Sequence, residues 1–171
     1  MIHAPRLEVV LNNRPLLSKL GLLEIVGDNT LLLPYKTTLS AAFDLFAVIE
    51  KELVMYPSSI QDIPTGLSFH AIGFPFDVGI RLFIRSGVSR FLSLANSVGL
   101  IDPDYQGQLM LRVRNHGLDT YIIEPGERIA QAEFYPVLRI EKACLVEKFS
   151  QETERGVGGF GHTGKFQKDK M

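Results

Sequence analysis

Short apolar segments that stop at turn residues constrain the fold of this chain more than any other feature of its sequence. Val78–Ile84 and Leu67–His70 are typical, since Gly, Pro, Asn or Asp lies close to the end of each such run. A β-strand needs only a run of this length, whereas an ordinary helix repeats its apolar residues at helical spacing over about ten residues or more. No long stretch shows that helical spacing. The sequence therefore predicts an all-β fold, a jelly-roll-like β-sandwich or barrel.

The same reading predicts further strands and one ambiguous segment. The other predicted strands are Leu7–Leu11, Phe43–Ile49, Glu52–Tyr56, Gln108–Val113, Thr120–Ile123, Arg128–Val137 and Arg139–Val146. Residues 14–29 contain leucines at helical spacing, but Gly21 and Gly27 interrupt them. We expect one β domain over residues 1–150 and a separate C-terminal arm over residues 151–171.

Size and charge exclude several classes of function. The chain has 171 residues, 46% of them hydrophobic, and a formal net charge of −1. That composition supports one globular core, and near-neutral charge argues against broad binding to nucleic acid or to anionic membranes. No apolar run approaches membrane-spanning length, and the N-terminus lacks the apolar core of a signal peptide. We therefore expect a cytoplasmic protein with no nucleic-acid or membrane partner.

Cys144 is the only cysteine of the chain. A single cysteine excludes an intrachain disulfide and a metal site built from several thiolates. Because Cys144 lies in a strand-like run, we expect a buried structural thiol rather than a nucleophile.

The stretch from Asn96 to Gln108, NSVGLIDPDYQGQ, carries the clearest candidate for catalysis. The apolar run 98–101 ends at Asp102, and the turn-rich residues after it lead into an alternating strand, which predicts a β-hairpin. A carboxylate held rigidly at the end of a strand can act as a general base. The alternative is that Asp102 only caps the turn through its own backbone.

The C-terminal residues differ in kind from the rest. Residues 155–164 read RGVGGFGHTG, in which five of ten residues are glycine. One interpretation is a disordered tail, because glycine loses the most backbone entropy on ordering. The other is an arm that closes over a nucleotide polyphosphate. Glycine backbones can aim N–H groups at phosphate, Arg155 adds charge, and Phe160 offers a flat face to a base.

Five segments in this order resemble the trimeric dUTP pyrophosphatases (dUTPases), and the last three look close to the bacterial type. They are AAFDLFA (41–47), RSG (85–87), NSVGLIDPDYQGQLM (96–110), PGERIAQ (125–131) and RGVGGFGHTG (155–164). The resemblance implies a jelly-roll fold and hydrolysis of dUTP to dUMP and pyrophosphate with Mg²⁺. Such an enzyme removes dUTP from the nucleotide pool and supplies dUMP for dTMP synthesis. The resemblance also implies a homotrimer in which each active site is shared by three chains.

The resemblance also implies a role for each matching residue. Asp102 would activate the attacking water, Asn96 would hydrogen-bond uracil, and Tyr105 would pack under the deoxyribose and exclude a 2′-hydroxyl. The implied lining of the nucleoside pocket is Leu100, Ile101 and Met110. The implied phosphate contacts are Arg85, Ser86, Gly87 and Gln131. In the arm, the implied γ-phosphate contacts are Arg155, Gly161, His162 and Thr163, and Phe160 would stack on uracil. Asp44 would lie near the metal through water, and Mg²⁺ would otherwise be held by the substrate phosphates.

The chain departs from the family pattern in four places. Ile84 stands where Pro is usual, Ala42 stands where Gly is usual, the connection over residues 87–96 is short, and residues 14–29 look like extra material. Two alternatives stay open on the sequence alone. One is a dCTP deaminase of the same fold, and the other is a dUTPase-like regulatory or binding protein without turnover.

Overall fold

The computed structural model describes residues 4–27, 29–96 and 98–157, which form two compact units, Met1–Leu138 and Arg139–Met171. The described elements of the first unit follow in chain order. They are β1 (Arg6–Leu11), α1 (Arg14–Lys19), β2 (Ile25–Val26), β3 (Thr30–Leu31), β4 (Phe43–Phe46), β5 (Leu53–Met55), β6 (Ile60–Pro64), β7 (Leu67–Ile72), β8 (Val78–Ile84), β9 (Leu92–Leu94), β10 (Gly99–Ile101), β11 (Met110–Asn115), β12 (Tyr121–Ile123) and β13 (Arg128–Pro136).

Antiparallel sheets account for almost all of the regular secondary structure of this unit. One sheet has the strand order β10-β8-β13-β4 and another has the order β6-β11-β9, while β1 pairs with β7, β12 with β5 and β2 with β3. Strand β11 alternates exposed and buried residues along its whole length, as a strand with one face on the core should. The rings of Phe43, Phe69 and Phe134 pack against one another inside the unit. The all-β prediction is confirmed.

The predicted hairpin around Asp102 is wrong in its strand pairing. Strand β10 pairs with β8, whereas β11 pairs with β6 and β9. Residues 102–109 therefore connect two different sheets instead of joining two neighbours. A strand's partners are decided by contacts far away in sequence, so turn residues predicted the reversal of the chain but not its pairing. Strands β6 and β9 were not predicted at all.

Residues 14–29 contain a short helix followed by a tight hairpin. Asn13 caps α1, since its Oδ1 accepts a hydrogen bond from the Leu16 amide at 3.2 Å. Gly21 follows with a φ of +67°, a left-handed conformation that ends the helical turn. Leu16 and Leu17 are buried against the core, so the helical spacing of the leucines marks a real packing face. None of the described residues lies in a helix long and apolar enough to cross a membrane.

The described part of the second unit, residues 139–157, holds no strand. The strand predicted over residues 139–146 is therefore wrong. A strand requires a neighbour to satisfy its backbone groups, and no described strand pairs with this segment. Cys144 is exposed, so the prediction of a buried thiol is wrong as well. The division that we predict at residue 150 stays a prediction.

Candidate active site

Asp44 sits at the centre of a small charged cluster on β4. Its Oδ1 forms an ion pair with Arg85, whose Nε lies 2.9 Å away, and its Oδ2 accepts a hydrogen bond from Arg128 Nη1 at 3.1 Å. The Arg85 guanidinium also donates through Nη1 to the Arg128 carbonyl at 3.2 Å. The Asp44 side chain is only 12% exposed, so these bonds operate largely away from water. Arg85 is therefore fixed from two sides.

A β-bulge in β13 brings two side chains of that strand to Asp44. Gln131 lies directly opposite Asp44, while the register shifts between Arg128 and Ala130, so Ile129 is the extra residue. In a regular strand, residues three apart face opposite sides, and Arg128 could not share a face with Gln131. With the bulge, Ile129 and Ala130 are both buried and Arg128 reaches Asp44.

A hydrogen bond at the start of β13 holds the turn before Arg128. The Tyr121 hydroxyl donates to Glu127 Oε1 at 2.6 Å, and Glu127 Oε2 accepts from the Glu124 amide at 3.0 Å. Burial, followed by the hydrogen bond to Glu127, raises the pKa of Tyr121 well above its ordinary value of 10.0. The Tyr121 hydroxyl therefore keeps its proton, and with it the hydrogen bond to Glu127, to a higher pH than a free tyrosine would, and this bond fixes the turn that leads into Arg128.

An open polar cavity of about 290 Å³ lies next to this cluster. Its lining includes Asp44, Arg85, Ser86 and Gln131, all of which the sequence marks as candidates. It also includes Lys36, Ser40, Ala41 and Ala42, of which Lys36 and Ser40 were missed. Thr37 and Ser40 hydrogen-bond each other at 2.9 Å and form the turn that precedes β4. The turn residues just before AAFDLFA were the sequence signal that could have found them.

The loop after β10 holds Asp102 and Tyr105 in a tight turn. The Tyr105 amide donates to the Asp102 carbonyl at 3.1 Å, which closes a β-turn across Pro103 and Asp104. Asp102 is exposed at the point where β10 ends. The candidate residues around it, all exposed or partly exposed, are Asn96, Leu100, Ile101, Tyr105 and Met110.

The turn over residues 64–67 anchors the far end of this loop. Thr65 is buried and donates through both its amide and its hydroxyl to the Leu109 carbonyl, at 3.2 and 2.9 Å. The Gly66 amide donates to Gln108 Oε1 at 2.9 Å, and the Leu109 amide donates to the Leu67 carbonyl at 2.8 Å. The end of the loop that leads into β11 is therefore held at two neighbouring residues, Gln108 and Leu109.

Asp102 and Arg85 lie at opposite ends of the same sheet. Strands β8 and β10 are antiparallel with Ile101 opposite Ile80, which places Asp102 beside Gly79. Arg85 follows the other end of β8, six residues beyond Gly79. At about 3.4 Å per residue, roughly 20 Å of strand separate the two positions. The loop of Asp102 and the cavity of Arg85 are thus two separate surfaces of one chain.

Neither surface contains a ready-made metal cage. Among the described residues, no three His, Cys, Asp or Glu side chains come together as potential metal ligands. Both Asp44 oxygens already form ion pairs with arginine. Mg²⁺ retains several waters and binds phosphate oxygens readily. This donor set fits a Mg²⁺ ion that arrives on substrate phosphates, and does not fit one bound by the protein alone.

The arm residues lie mostly outside the described part of the chain. Arg155 is described and exposed, and the Gly156 amide after it donates to the Thr153 carbonyl at 3.0 Å. The four remaining arm candidates belong to residues 158–171, outside the described residues: Phe160, Gly161, His162 and Thr163. Ser86 and Gly87 are exposed in the turn after β8.

Comparison with known proteins places this geometry in a family. The dUTPase family model matches residues 28–164. The deoxyuridine 5'-triphosphate nucleotidohydrolase of Citrobacter koseri is 46% identical over 142 residues, which cover 82% of this chain and 91% of that protein. A mutant dUTPase of Staphylococcus bacteriophage 80alpha, solved with dUpNHpp, has a TM-score of 0.70 at 24% identity and covers 93% of this chain and 98% of its own.

A third match is a mutant dUTPase from phage phi11 of S. aureus, whose structure describes the coordination of a structural Mg(II) ion. Its TM-score is 0.63 at 21% identity, with 85% of this chain and 99% of that chain covered. The two phage structures support the fold. The family model covers most of the chain and includes all five segments on which the resemblance rests. The predicted resemblance is therefore confirmed, and the chain belongs to the dUTPase family.

Proposed function

We propose that this chain hydrolyses dUTP to dUMP and pyrophosphate, removing dUTP from the nucleotide pool and supplying dUMP for dTMP synthesis. Its bacterial relative at 46% identity carries the name of that activity. The observation that carries the proposal is Asp102, exposed at the end of β10 and fixed by a turn. A carboxylate in that position can take a proton from a water molecule that attacks the α-phosphate.

The loop around Asp102 supplies the nucleoside side of the site. Leu100, Ile101 and Met110 would line the pocket, Asn96 would bind the uracil edge, and Tyr105 would pack against the sugar. The exposed apolar side chains of Leu100 and Met110 support this assignment, because an unpartnered apolar surface beside a polar turn suits a flat base.

The cavity beside Asp44 supplies the phosphate side. Arg85, Ser86 and Gln131, with the Gly87 backbone, would bind phosphate oxygens there. Asp44 orients Arg85, since its carboxylate forms an ion pair at Nε of that guanidinium while the Arg128 carbonyl accepts a hydrogen bond from Nη1. A guanidinium with a fixed plane binds phosphate with better geometry than a free one.

Mg²⁺ would be held by the triphosphate and by water, and it would supply positive charge that lowers the repulsion between phosphates. The protein residue assigned to its vicinity is Asp44, through water. Each Asp44 oxygen keeps a second acceptor site beyond its arginine bond, which leaves room for a contact with a metal-bound water. The phi11 phage enzyme coordinates a structural Mg(II) ion, which shows that a dUTPase of this fold can bind this cation.

The two candidate surfaces of one chain lie near opposite ends of strand β8. Roughly 20 Å of strand separate Asp102 from Arg85, whereas the α-phosphate and its neighbours lie within a few ångströms of one another. We therefore propose that a complete site takes Asp102 from one chain and Arg85 from another. We propose a homotrimer in which the arm, with Arg155, Phe160, Gly161, His162 and Thr163, comes from a third chain. The cytoplasmic location stays a prediction.

The experiment that tests the function is pyrophosphate release with dUTP, dCTP and UTP measured side by side, for the wild type and for Asp102→Asn. We expect turnover of dUTP far above the other two, and near-complete loss in Asp102→Asn, because an amide cannot accept the water proton. Ammonia release from dCTP would establish the deaminase alternative instead. Binding of dUTP without turnover by the wild type would establish the binding-protein alternative.

A further inference from the structure

The ring of Tyr105 lies back over its own loop. Its hydroxyl donates to the Gln108 carbonyl at 3.1 Å, three residues further along the chain. Gln108 is itself anchored, because its side-chain oxygen accepts from the Gly66 amide at 2.9 Å. Tyr105 is 45% exposed, so part of its side chain is accessible to a ligand. The position of this accessible part is set by the short segment between Tyr105 and Gln108.

Gly107 is the residue that this ring covers. A Cβ atom built on Gly107 would lie 2.4 Å from Tyr105 Oη, 2.5 Å from Cζ and 3.0 Å from Cε2. All three distances are shorter than an ordinary van der Waals contact, which begins near 3.4 Å. Gly107 is absent from the glycines of positive φ, so its backbone conformation is open to other residues. The ring, and not the backbone, accounts for glycine at this position.

We propose that Gly107 is a positioning residue for sugar selection. It acts through Tyr105, whose ring takes its place against the sugar only because position 107 has no side chain. The inference rests on the proposed function, in which Tyr105 packs under the deoxyribose and leaves no room for a 2′-hydroxyl. It adds that the exclusion of ribose depends on a residue that does not itself reach the sugar.

A methyl group at position 107 would displace the ring and leave the fold intact. The hydroxyl must move from 2.4 Å to at least 3.4 Å, a shift of about 1 Å. The clashing atoms are the exposed end of a side chain that can rotate, whereas the backbone on either side is anchored by Asp102 and Gln108. A misplacement of about 1 Å in a binding group can change a rate constant a hundredfold. The preference for dUTP over UTP should therefore change more strongly than the free energy of unfolding does.

The test is a double-mutant cycle on Gly107→Ala, Tyr105→Ala and the double variant, with kcat/KM measured for dUTP and for UTP. We expect Gly107→Ala to lower the dUTP-to-UTP ratio of kcat/KM by about tenfold or more. In the Tyr105→Ala background the same substitution should change that ratio less than about twofold, since the ring through which it acts is gone. An equal fall in both backgrounds, or no fall in either, would overturn the proposal.

Two further readouts separate this proposal from the proposed function. The chain has five tyrosines and no tryptophan, so 3-fluorotyrosine labelling gives few ¹⁹F signals, and Tyr105→Phe identifies the one from Tyr105. Gly107→Ala should shift that signal in the free protein and leave the melting temperature within about 2 °C of the wild type. An unmoved signal, or a protein that no longer folds, would show that the substitution does not simply displace the Tyr105 ring. Absence of dUTP hydrolysis by the wild type would instead refute the function, even if the signal shifts.

Discussion

Replacing Asp44 by asparagine removes the charge that holds Arg85 and Arg128 together, while it preserves the shape of the side chain. The two ion pairs of Asp44 differ in their access to water. The Arg85 side chain is 29% exposed and the Arg128 side chain is 45% exposed, while the Asp44 side chain is 12% exposed. A hydrogen bond between charged groups with limited access to water contributes about 1.5–3 kcal/mol. An ion pair with a half-exposed partner contributes about 0.2–1 kcal/mol.

Asparagine retains one acceptor, so the two losses are partly offset and we expect Asp44→Asn to cost about 2 kcal/mol. For a chain of this length that corresponds to a fall in melting temperature of roughly 4–8 °C. Thermal melts at one fixed protein concentration measure it, because assembly would make the midpoint concentration-dependent. Arg85→Gln should cost more than Arg128→Gln, since Arg85 is the less exposed of the two.

Asp62 provides a matched control on the surface. It accepts two hydrogen bonds from Arg112, both at 2.8 Å. The hydrogen bonding to Arg112 lowers the pKa of Asp62 below its ordinary value. Its side chain is 45% exposed and that of Arg112 is 59% exposed. Asp62→Asn should therefore lower the melting temperature distinctly less than Asp44→Asn does. Equal effects, or a larger one for Asp62→Asn, would refute the use of burial to rank the two pairs.

Three further predictions concern the scaffold and the arm. Asn115→Ala should lower the free energy of unfolding, measured with a chemical denaturant, by about 3 kcal/mol. Asn115 is fully buried and its side chain makes three hydrogen bonds, two of them to the Met55 and Asp119 carbonyls. A loss below about 1 kcal/mol would contradict this prediction. The folded state raises the pKa of Tyr121, so the contribution of this group to stability is complete below pH 10 and is lost as the pH rises further. Above pH 10, the melting temperature should therefore fall less steeply with pH in Tyr121→Phe than in the wild type. Ending the chain at Glu154 should leave the melting temperature of the β unit unchanged and sharply reduce dUTP turnover, whereas an unfolded or fully active product would exclude a lid role for the arm.

Local patterns were sufficient to predict many of the strands. Val78–Ile84 was predicted to the residue, because its apolar run and the Arg-Ser-Gly turn directly after it are both local features of the sequence. The pairing of β10 with β8 could not be predicted in this way, since it depends on contacts distant in sequence. The strand predicted over residues 139–146 failed for a related reason, because apolar residues favour a strand only where a neighbour is available to pair with it.

The candidate site shows the same division between local and distant information. Asp44, Arg85 and Gln131 were assigned from separate segments, and the structure brings them to one cavity. The sequence did not predict the arginine pair on Asp44, because the bulge at Ile129 that turns Arg128 toward it leaves no mark in the alternation of the strand. The contact between Gly107 and the Tyr105 ring could likewise not be predicted from the sequence, since a glycine in a turn-rich stretch already has a local explanation.

The central claim is that Asp102 of one chain and Arg85 of another complete each active site. Mixing Asp102→Asn chains with Arg85→Gln chains, unfolding them together and refolding them tests it directly, with subunit exchange verified by mass. Each variant alone should be nearly inactive. With equal mixing and random assembly, about a quarter of the sites would combine an intact Asp102 with an intact Arg85. We predict a return of dUTP hydrolysis to roughly a quarter of the wild-type rate. If mixed assemblies form and no activity returns, both residues serve a site within one chain, and the shared-site account is wrong.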